Sequence, residues 1–273
     1  MKVFAIDLSI CNGCYCCQIA CKDEHVANDW SPYAKPQPDT GQFWIGLTEL
    51  VRGQVPKVKV TYLPRMCHHC DDAPCISCCE VGAIVKRDDG LVLIDSDKCT
   101  GCQLCKDTCP HGAIYFNEGL NIAQKCTGCA HLLDNQADEW KVPRCVDQCP
   151  TGAIQFGEEA DFAAFIKNAE TLNPEAGTKS RVYYKGLPKK FIGGTLYDPA
   201  KKEVVTGAKC TLKDNDSGEM FTAKTDNFGD FWFNGLKDDR MFKLAIKKGK
   251  ASKTIENVSS KIDLSLGDIP LEI

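Results

Sequence analysis

Residues 99–114 read CTGCQLCKDTCPHGAI, in which four cysteines fall within eleven residues and a Gly-Ala-Ile triplet follows. Two residues separate each of the first three cysteines, and three residues separate the third from the fourth. The same offsets occur at residues 11–21, and two further sets keep the spacing at both ends while the middle gap widens. The four sets are Cys11, Cys14, Cys17 and Cys21; Cys67, Cys70, Cys75 and Cys79; Cys99, Cys102, Cys105 and Cys109; and Cys126, Cys129, Cys145 and Cys149. This fourfold repeat indicates that the sixteen cysteines share one chemical task.

The Gly-Ala-Ile triplet stands three residues after the last cysteine of three sets, beginning at Gly82, Gly112 and Gly152. Glycine tolerates a positive φ or a close approach of the backbone. The Ala-Ile pair is suited to a strand that packs against the cysteine loop. The repeat therefore predicts a turn and then a short strand after each of these sets.

The repeat also distinguishes between adjacent cysteines. Cys17 matches the offset of Cys105, whereas Cys16 does not. Cys79, rather than Cys78, stands three residues before its glycine. We predict that Cys16 and Cys78 are not ligands, because a free buried cysteine behaves as a small apolar residue.

The number and placement of the cysteines favour metal binding over disulfide bonds. The chain has 273 residues and 19 cysteines, an odd number, and all but Cys210 lie before residue 150. Disulfide scaffolds space their cysteines to bridge distant loops, so closely spaced Cys-x-x-Cys pairs do not suit them. The run at residues 99–109 has the spacing of bacterial ferredoxins, in which the fourth cysteine ligates a different [4Fe–4S] cluster from the first three. The sequence therefore predicts iron–sulfur clusters.

Zinc is the alternative for any Cys-x-x-Cys pair. Structural zinc sites usually take two such pairs separated by a dozen or more residues, or they include histidine. Only the set that begins at Cys126 has that spacing, whereas four cysteines in eleven residues suit a cubane cluster better. The five histidines are His25, His68, His69, His111 and His131. We expect His68 and His69 to fill a ligand loop rather than to bind metal, because each cysteine set is already complete.

Charge and hydropathy exclude several other functions. A net charge of −4, a pI near 5.8 and the lack of a basic tract argue against nucleic-acid binding. No run of eighteen apolar residues occurs, so no membrane-spanning helix is predicted. The first cysteine of the repeat already stands at position 11, which leaves little room for a signal peptide. We expect a cytoplasmic protein without a nucleic-acid or membrane partner.

The four sets, their order and the Gly-Ala-Ile repeats resemble the iron–sulfur subunits of the dimethyl-sulfoxide-reductase family of molybdopterin oxidoreductases. The resemblance covers about residues 1–195, including VYY at 182–184 and FIGG at 191–194. It implies two fused ferredoxin-like modules in which the first set pairs with the fourth and the second with the third. The ligand groups would then be Cys11, Cys14, Cys17 and Cys149; Cys126, Cys129, Cys145 and Cys21; Cys67, Cys70, Cys75 and Cys109; and Cys99, Cys102, Cys105 and Cys79.

Residues outside the cysteine sets complete the first domain. We predict a double ferredoxin-like domain over residues 1–157, with a loop-rich insertion at 28–60 that carries a strand in the alternating run at 55–62. Helical spacing of Phe162, Phe165, Ile166 and Ala169 predicts a helix over 158–171 that packs on this domain. Asn173-Pro174 ends that helix. Residues 173–190 are then predicted to be a basic linker arm, so that helix and linker together span 158–190.

Short alternating strands separated by turns predict an antiparallel β-sandwich or barrel over residues 191–273. The segments GTLYD at 194–198 and TDNFGDF at 225–231 resemble the transthyretin-like or carboxypeptidase-regulatory-like β-domain. Cys210 shares a strand face with Ala208 and Leu212, which predicts a core cysteine. The predicted fold class is therefore α+β, with two ferredoxin-like [4Fe–4S] modules followed by a β-domain.

The family resemblance also implies a function. It implies four [4Fe–4S] clusters, with three as the alternative, and a large partner that holds molybdenum on two molybdopterin guanine dinucleotides in a heterodimer. Combined with the β-domain, it indicates hydroxyl transfer between phenols, from pyrogallol to phloroglucinol. The chemistry would lie in the partner, because this sequence offers no nucleophile–base pair and hence no catalytic residue. A stand-alone polyferredoxin and the relay subunit of another molybdopterin reductase or dehydrogenase remain alternatives.

Overall fold

The structure is a computed structural model that describes residues 1–135 and 140–273. Its contacts divide the chain into two units. The cysteine-rich unit comprises Met1–Glu49 and Thr61–Leu187, and the C-terminal unit comprises Leu50–Val60 and Pro188–Ile273. Within the two described ranges, we find no helix with the length and hydrophobicity that crossing a bilayer requires.

Short helices and strands alternate through the first two thirds of the chain, because the cysteine loops leave little room for long elements. In chain order they are β1 (Lys2–Asp7), α1 (Cys16–His25), β2 (Ile45–Gln54), β3 (Lys57–Met66), α2 (Pro74–Ser77), β4 (Ile84–Lys86), β5 (Val92–Ile94), α3 (Leu104–Thr108), β6 (Ile114–Asn117), β7 (Ile122–Lys125), α4 (Ala130–Asp134), α5 (Arg144–Asp147), β8 (Ile154–Glu158), α6 (Ala163–Ile166) and β9 (Val182–Lys185). Two 3₁₀ turns, Glu159–Phe162 and Pro174–Ala176, lie between β8 and β9.

Each Gly-Ala-Ile triplet leads into a strand, as the repeat predicts. Strands β4, β6 and β8 begin at Ile84, Ile114 and Ile154, and the alanine before each of them is buried. β4 pairs with β5, and β6 with β7, in antiparallel hairpins. The three glycines have φ values of 62°, 56° and 66°, and no atom lies within 4 Å of the position that a Cβ would take. The positive φ, rather than a close approach, therefore requires glycine here.

Strand β1 lies at the centre of a three-stranded sheet, antiparallel to β8 and parallel to β9. Its residues from Val3 to Ile6 are fully buried. The prediction of a free linker over 173–190 is wrong, because β9 pairs with β1 within that segment. Arg181, just before β9, is 4% exposed and donates to both carboxylate oxygens of Asp71 at 2.6 and 2.8 Å. Residues 173–187 are therefore part of the cysteine-rich unit.

The helix predicted over 158–171 is much shorter in the structure. It consists of one 3₁₀ turn and the four-residue α6. Strand pairing limits it on both sides, because Glu158 continues β8 and Glu170 forms an isolated β-bridge. The apolar side chains between them are at most half-buried, so this stripe does not form part of a core.

The predicted loop-rich insertion contains a long hairpin. Strands β2 and β3 have ten residues each and pair with one another. β3 confirms most of the strand predicted at 55–62, whereas β2 was not predicted, because Gly46 and Gly53 lower its apparent strand propensity. The distal part of the hairpin, Leu50–Val60, belongs to the C-terminal unit.

The C-terminal unit contains two four-stranded sheets. Its strands are β10 (Lys190–Asp198), β11 (Glu203–Val204), β12 (Lys209–Asp214), β13 (Met220–Lys224), β14 (Asp230–Leu236), β15 (Met241–Lys248), β16 (Ala251–Ser259) and β17 (Leu264–Pro270). In one sheet β10 pairs with β11, β14 and β17, and the other has the order β13-β12-β15-β16. The prediction of purely antiparallel sheets is wrong. The chain returns from β16 in the second sheet to the first sheet, where β17 runs parallel to β10.

One hydrophobic core serves both of these sheets. It includes Leu196 and Phe231 from one sheet and Leu212 and Leu244 from the other, each at most 1% exposed. Cys210 is fully buried in the same core. The prediction that Cys210 is a core cysteine is therefore confirmed.

Candidate metal centres

The second and third cysteine sets surround two cavities. Four thiols stand on the wall of the first cavity, those of Cys67, Cys70, Cys75 and Cys109. Three of them come from the second set and the fourth from the third set. Helix α2 starts with proline at its first position, where the missing N–H costs nothing, and so places Cys75 in its first turn. The cavity is thus lined by cysteines that the chain brings together from two separate loops.

The second cavity has the same volume as the first. The cysteines on its wall are Cys78, Cys79, Cys99, Cys102 and Cys105. Here the third set supplies three thiols and the second set supplies Cys79, with Cys78 beside it. The second and third sets therefore each contribute to both cavities.

The first and fourth sets come together in a comparable way. Burial and the nearby thiols of Cys11, Cys149 and Cys14 together raise the pKa of Cys17 to about 12. Burial also raises the pKa of Cys145 well above its usual value, with Cys129, Cys126 and Cys21 adding to the rise. These interactions define two more groups of neighbouring thiols. One joins three cysteines of the first set to Cys149, and the other joins three of the fourth set to Cys21.

Backbone amides donate to several of these sulfurs. The N–H of His69 lies 3.4 Å from the Cys67 Sγ, and the N–H of Gly128 lies 3.4 Å from the Cys126 Sγ. In the second cavity the N–H of Ala123 lies 3.5 Å from the Cys99 Sγ. Hydrogen bonds of this kind favour the thiolate form, which is the form that binds metal.

The donor set fits a [4Fe–4S] cluster. Burial and the neighbouring thiols together raise the pKa of Cys75 and Cys126 to about 12 and that of Cys105 to about 11. Four thiolates around one cavity repel each other, so a cationic core must accompany them, and an iron–sulfur core held by four cysteines supplies it. Within the described ranges, no three His, Cys, Asp or Glu side chains are close enough to share a single metal ion.

The two cysteines predicted to be non-ligands are not core residues. Cys16 is partly exposed. A hydrogen bond with Cys14 is the largest cause that raises its pKa, and burial adds to the rise. Cys78 lines the second cavity beside Cys79, and its Sγ donates to the carbonyl of Cys75 at 3.5 Å. Both are partly exposed rather than buried as predicted, although Cys78 packs against an apolar core cluster. The choice of Cys79 over Cys78 as a ligand stays a prediction.

The histidines of the second set form the wall of the first cavity. His68 stacks on His111 with ring centroids 3.7 Å apart, and its Nδ1 lies 2.9 Å from the Ser180 hydroxyl. Burial and, to a smaller extent, the neighbouring His111 and Arg65 lower the pKa of His68 to about 3. His68, His69 and His111 all line this cavity. Both histidines of the second set are therefore buried wall residues, as loop filling requires.

Lys125, the last residue of β7, is a site residue that the sequence did not reveal. It is 2% exposed, and its Nζ donates to the carbonyls of Val92 and Cys126, the latter at 3.1 Å. Its charge opposes the rise in pKa that burial causes at Cys75 and at Cys126. A buried lysine between two groups of thiols has no sequence signal, since lysine is ordinarily a surface residue.

Comparisons with known proteins show which proteins the chain is similar to. Residues 58–159 match the family model described as a 4Fe-4S dicluster domain. The chain is 37% identical over 238 residues to the pyrogallol hydroxytransferase small subunit of Pelobacter acidigallici, with 85% of each chain covered. It is 32% identical to the arsenate respiratory reductase iron–sulfur subunit of a Shewanella strain, covering 66% of this chain and 93% of that one. It is also 33% identical to a sulfite dehydrogenase subunit of Allochromatium vinosum, covering 68% and 82%.

Proposed function

Because this chain belongs to the family of iron–sulfur small subunits of molybdenum enzymes, we propose that its sixteen repeat cysteines hold four [4Fe–4S] clusters that relay electrons for a molybdenum-bearing partner. The observation that carries this proposal is the pair of cavities, each lined by cysteines from two different sets. When bound, the clusters supply one-electron redox chemistry. This chain is an electron-transfer subunit, and its residues hold, shield and hydrogen-bond the clusters.

Each cluster takes three ligands from one set and one from another. The assignment is Cys11, Cys14, Cys17 and Cys149 for one cluster; Cys126, Cys129, Cys145 and Cys21 for the next; Cys67, Cys70, Cys75 and Cys109 in the first cavity; and Cys99, Cys102, Cys105 and Cys79 in the second. Four neighbouring thiols in each group support it, since a [4Fe–4S] cluster takes four cysteines. Cys78 is the alternative to Cys79 as the ligand in the second cavity.

The four groups form a line along which electrons can pass. Cys17 of the first group is close enough to add to the raised pKa of Cys145 in the next group. Cys67 of the first cavity likewise adds to the raised pKa of Cys126 in the fourth set. The Cys78 thiol bonds the Cys75 carbonyl and adds to the raised pKa of Cys105. Each group therefore lies near the next in the order first set, fourth set, first cavity, second cavity.

The partner in this proposal is a large subunit that holds molybdenum on two molybdopterin guanine dinucleotides. The reaction that we propose for it is hydroxyl transfer between phenols, which converts pyrogallol to phloroglucinol. Its support is the pyrogallol hydroxytransferase small subunit, which is similar over 85% of both chains. We further propose a cytoplasmic heterodimer without a membrane or nucleic-acid partner, consistent with the nineteen free thiols, which reducing compartments maintain.

A second candidate is the relay of a reductase or dehydrogenase that exchanges electrons with an external donor or acceptor. Hydroxyl transfer between two phenols is redox-neutral overall and needs no long relay, whereas this chain has four complete sets. The similar arsenate respiratory reductase subunit, 93% of which is covered, belongs to an enzyme of this kind. A stand-alone polyferredoxin is a weaker candidate, because it leaves the C-terminal unit without a role.

For the C-terminal unit we propose a β-sandwich of the transthyretin-like or carboxypeptidase-regulatory-like type. Two four-stranded sheets with one common core support a sandwich. Comparing the parallel pairing of β17 with β10 to solved members of both types would test this proposal. Docking or stabilisation of the complex is the role that we propose for it.

Purification of the native complex through a tag on this chain tests the proposed function. We expect a large chain to co-purify with molybdenum, and we expect the complex to convert pyrogallol to phloroglucinol without added electron carriers. Turnover only with an external donor or acceptor would support the relay of a reductase instead. A single species of 30.0 kDa without molybdenum would overturn both and leave the polyferredoxin.

A further inference from the structure

His69 stands between two of the proposed ligands and is almost fully buried. It is 1% exposed and forms part of the wall of the first cavity. The loop around it is tied down, because Lys86 donates to the carbonyls of His69 and Cys70 at 3.1 and 2.9 Å. The ring is therefore held in a fixed place beside the four cysteines of this cavity.

The tautomer of His69 is set by the backbone of β5. The N–H of Val92 donates to the Nδ1 atom of His69 at 3.0 Å. A ring nitrogen that accepts a hydrogen bond carries no proton, so in the neutral imidazole the proton is on Nε2. His69 therefore presents an N–H donor at Nε2.

That donor has no partner among the described residues. The Nε2 atom of His69 is buried and makes no hydrogen bond in the described part of the chain. Buried polar groups are almost always hydrogen-bonded, so an unpartnered donor on a cavity wall points to an acceptor inside the cavity. His111 on the same wall also has an unpartnered nitrogen, but its Nε2 contacts the Thr178 hydroxyl, which can donate or accept, so its tautomer is open.

We propose that the Nε2–H of His69 donates a hydrogen bond to a sulfur of the cluster in the first cavity and raises the reduction potential of that cluster. The inference rests on the proposed ligation by Cys67, Cys70, Cys75 and Cys109. Reduction adds negative charge to the cluster, so a hydrogen bond to its sulfur stabilises the reduced state more than the oxidised state. Electrons passing along the line of clusters then favour the first cavity.

The second cavity provides an internal reference. It has the same volume, and no histidine is among the described residues on its wall. Its polar wall side chains other than cysteine are Thr100 and Gln103. A substitution of His69 should therefore shift the reduction potential of the first-cavity cluster and leave that of the second-cavity cluster unchanged.

Two substitutions separate the donor from the acceptor of the His69 ring. His69→Asn keeps an oxygen near the Nδ1 position for the Val92 N–H but has no donor near Nε2. His69→Gln places an amide N–H near the Nε2 position. A redox titration followed by EPR on the full chain with its clusters measures both variants against the wild type.

For His69→Asn we expect the reduction equilibrium constant of the first-cavity cluster to fall about tenfold, which is about 59 mV for a one-electron couple. We expect the second-cavity cluster to be unchanged and His69→Gln to keep most of the wild-type potential. An unchanged potential in His69→Asn, or an equal fall in both variants, would overturn the proposal.

If a variant loses its cluster, which its iron content would show, isotope labelling of the wild-type chain still tests the hydrogen bond. Wild-type chain labelled with ¹⁵N-histidine should show a ¹⁵N coupling to the reduced first-cavity cluster in pulsed EPR, and its absence would contradict the hydrogen bond. If the wild-type chain binds no iron at all, the proposed function fails, which is a different result from a cluster without the histidine coupling.

Discussion

Replacing Cys75 with alanine is expected to remove the [4Fe–4S] cluster of the first cavity. The chain should lose between one and about four iron atoms, because a cluster with three cysteines either sheds one iron or dissociates. Cys75 is buried on the cavity wall, so no solvent-exposed group can replace its thiolate. Iron analysis and the EPR spectrum of the reduced chain measure the loss.

The pairing of the sets gives this prediction its controls. Cys109→Ala should remove the same EPR signal as Cys75→Ala, although Cys109 is only four residues from Cys105 in the second cavity. Cys210→Ala should leave iron content unchanged, because Cys210 lies in the core of the C-terminal unit. If Cys109→Ala instead removes the signal of the second-cavity cluster, the proposed exchange of ligands between sets is wrong.

The second large effect is expected in the C-terminal unit, where Asp230→Ala should destabilise the fold by about 3–5 kcal/mol. Lys57, from the distal part of the β2–β3 hairpin, is 3% exposed and forms an ion pair with Asp230. The Thr195 hydroxyl also donates to Asp230 at 2.7 Å. Removing the carboxylate leaves a buried ammonium without its counter-charge. Hydrogen exchange of the β10 and β14 amides in the whole chain measures the free energy of opening.

An exposed ion pair of the same unit provides the matched control. Lys243 and Glu256 lie 2.6 Å apart, but their side chains are 48% and 54% exposed. Glu256→Ala should therefore cost only about 0–1 kcal/mol. Equal costs for the two substitutions would show that burial of Lys57 contributes nothing to stability.

The same ion pair predicts how stability depends on pH. Burial alone would raise the pKa of Asp230, but hydrogen bonds from Lys57 and Thr195 outweigh it and hold the pKa below its usual value of 3.8. A carboxyl group with a lowered pKa stabilises the fold above its unfolded pKa, and this contribution disappears as the pH falls below that value. In Asp230→Asn the corresponding part of the acid destabilisation should be absent.

The four cysteine sets were predictable from sequence because each set keeps the same spacing at both ends, and Gly-Ala-Ile follows three of them at the same offset. The pairing of one set with another joins segments distant in the chain, so the spacing alone did not give it, and it came from the family resemblance. The repeat could not separate Cys78 from Cys79 in space, since both side chains reach the second cavity. Sequence spacing records position along the chain, whereas the side-chain direction depends on the turn that follows α2.

Contacts between distant segments account for most of what the sequence did not predict. The periodicity of 158–171 favours a helix, but pairing of β8 with β1 and of Glu170 with Tyr184 commits its ends to strands. The parallel pairing of β17 with β10 joins segments about seventy residues apart, which no local pattern encodes. Burial of Lys125 and the orientation of His69 likewise depend on the packing of β5 and β7.

The binding of four [4Fe–4S] clusters is tested by measuring iron, acid-labile sulfide and zinc in the chain purified under anaerobic conditions. Four clusters held by sixteen thiolates predict about sixteen iron atoms, an equal amount of sulfide and no zinc per chain. A colourless protein without iron, or one that carries zinc at these cysteines, would contradict the account.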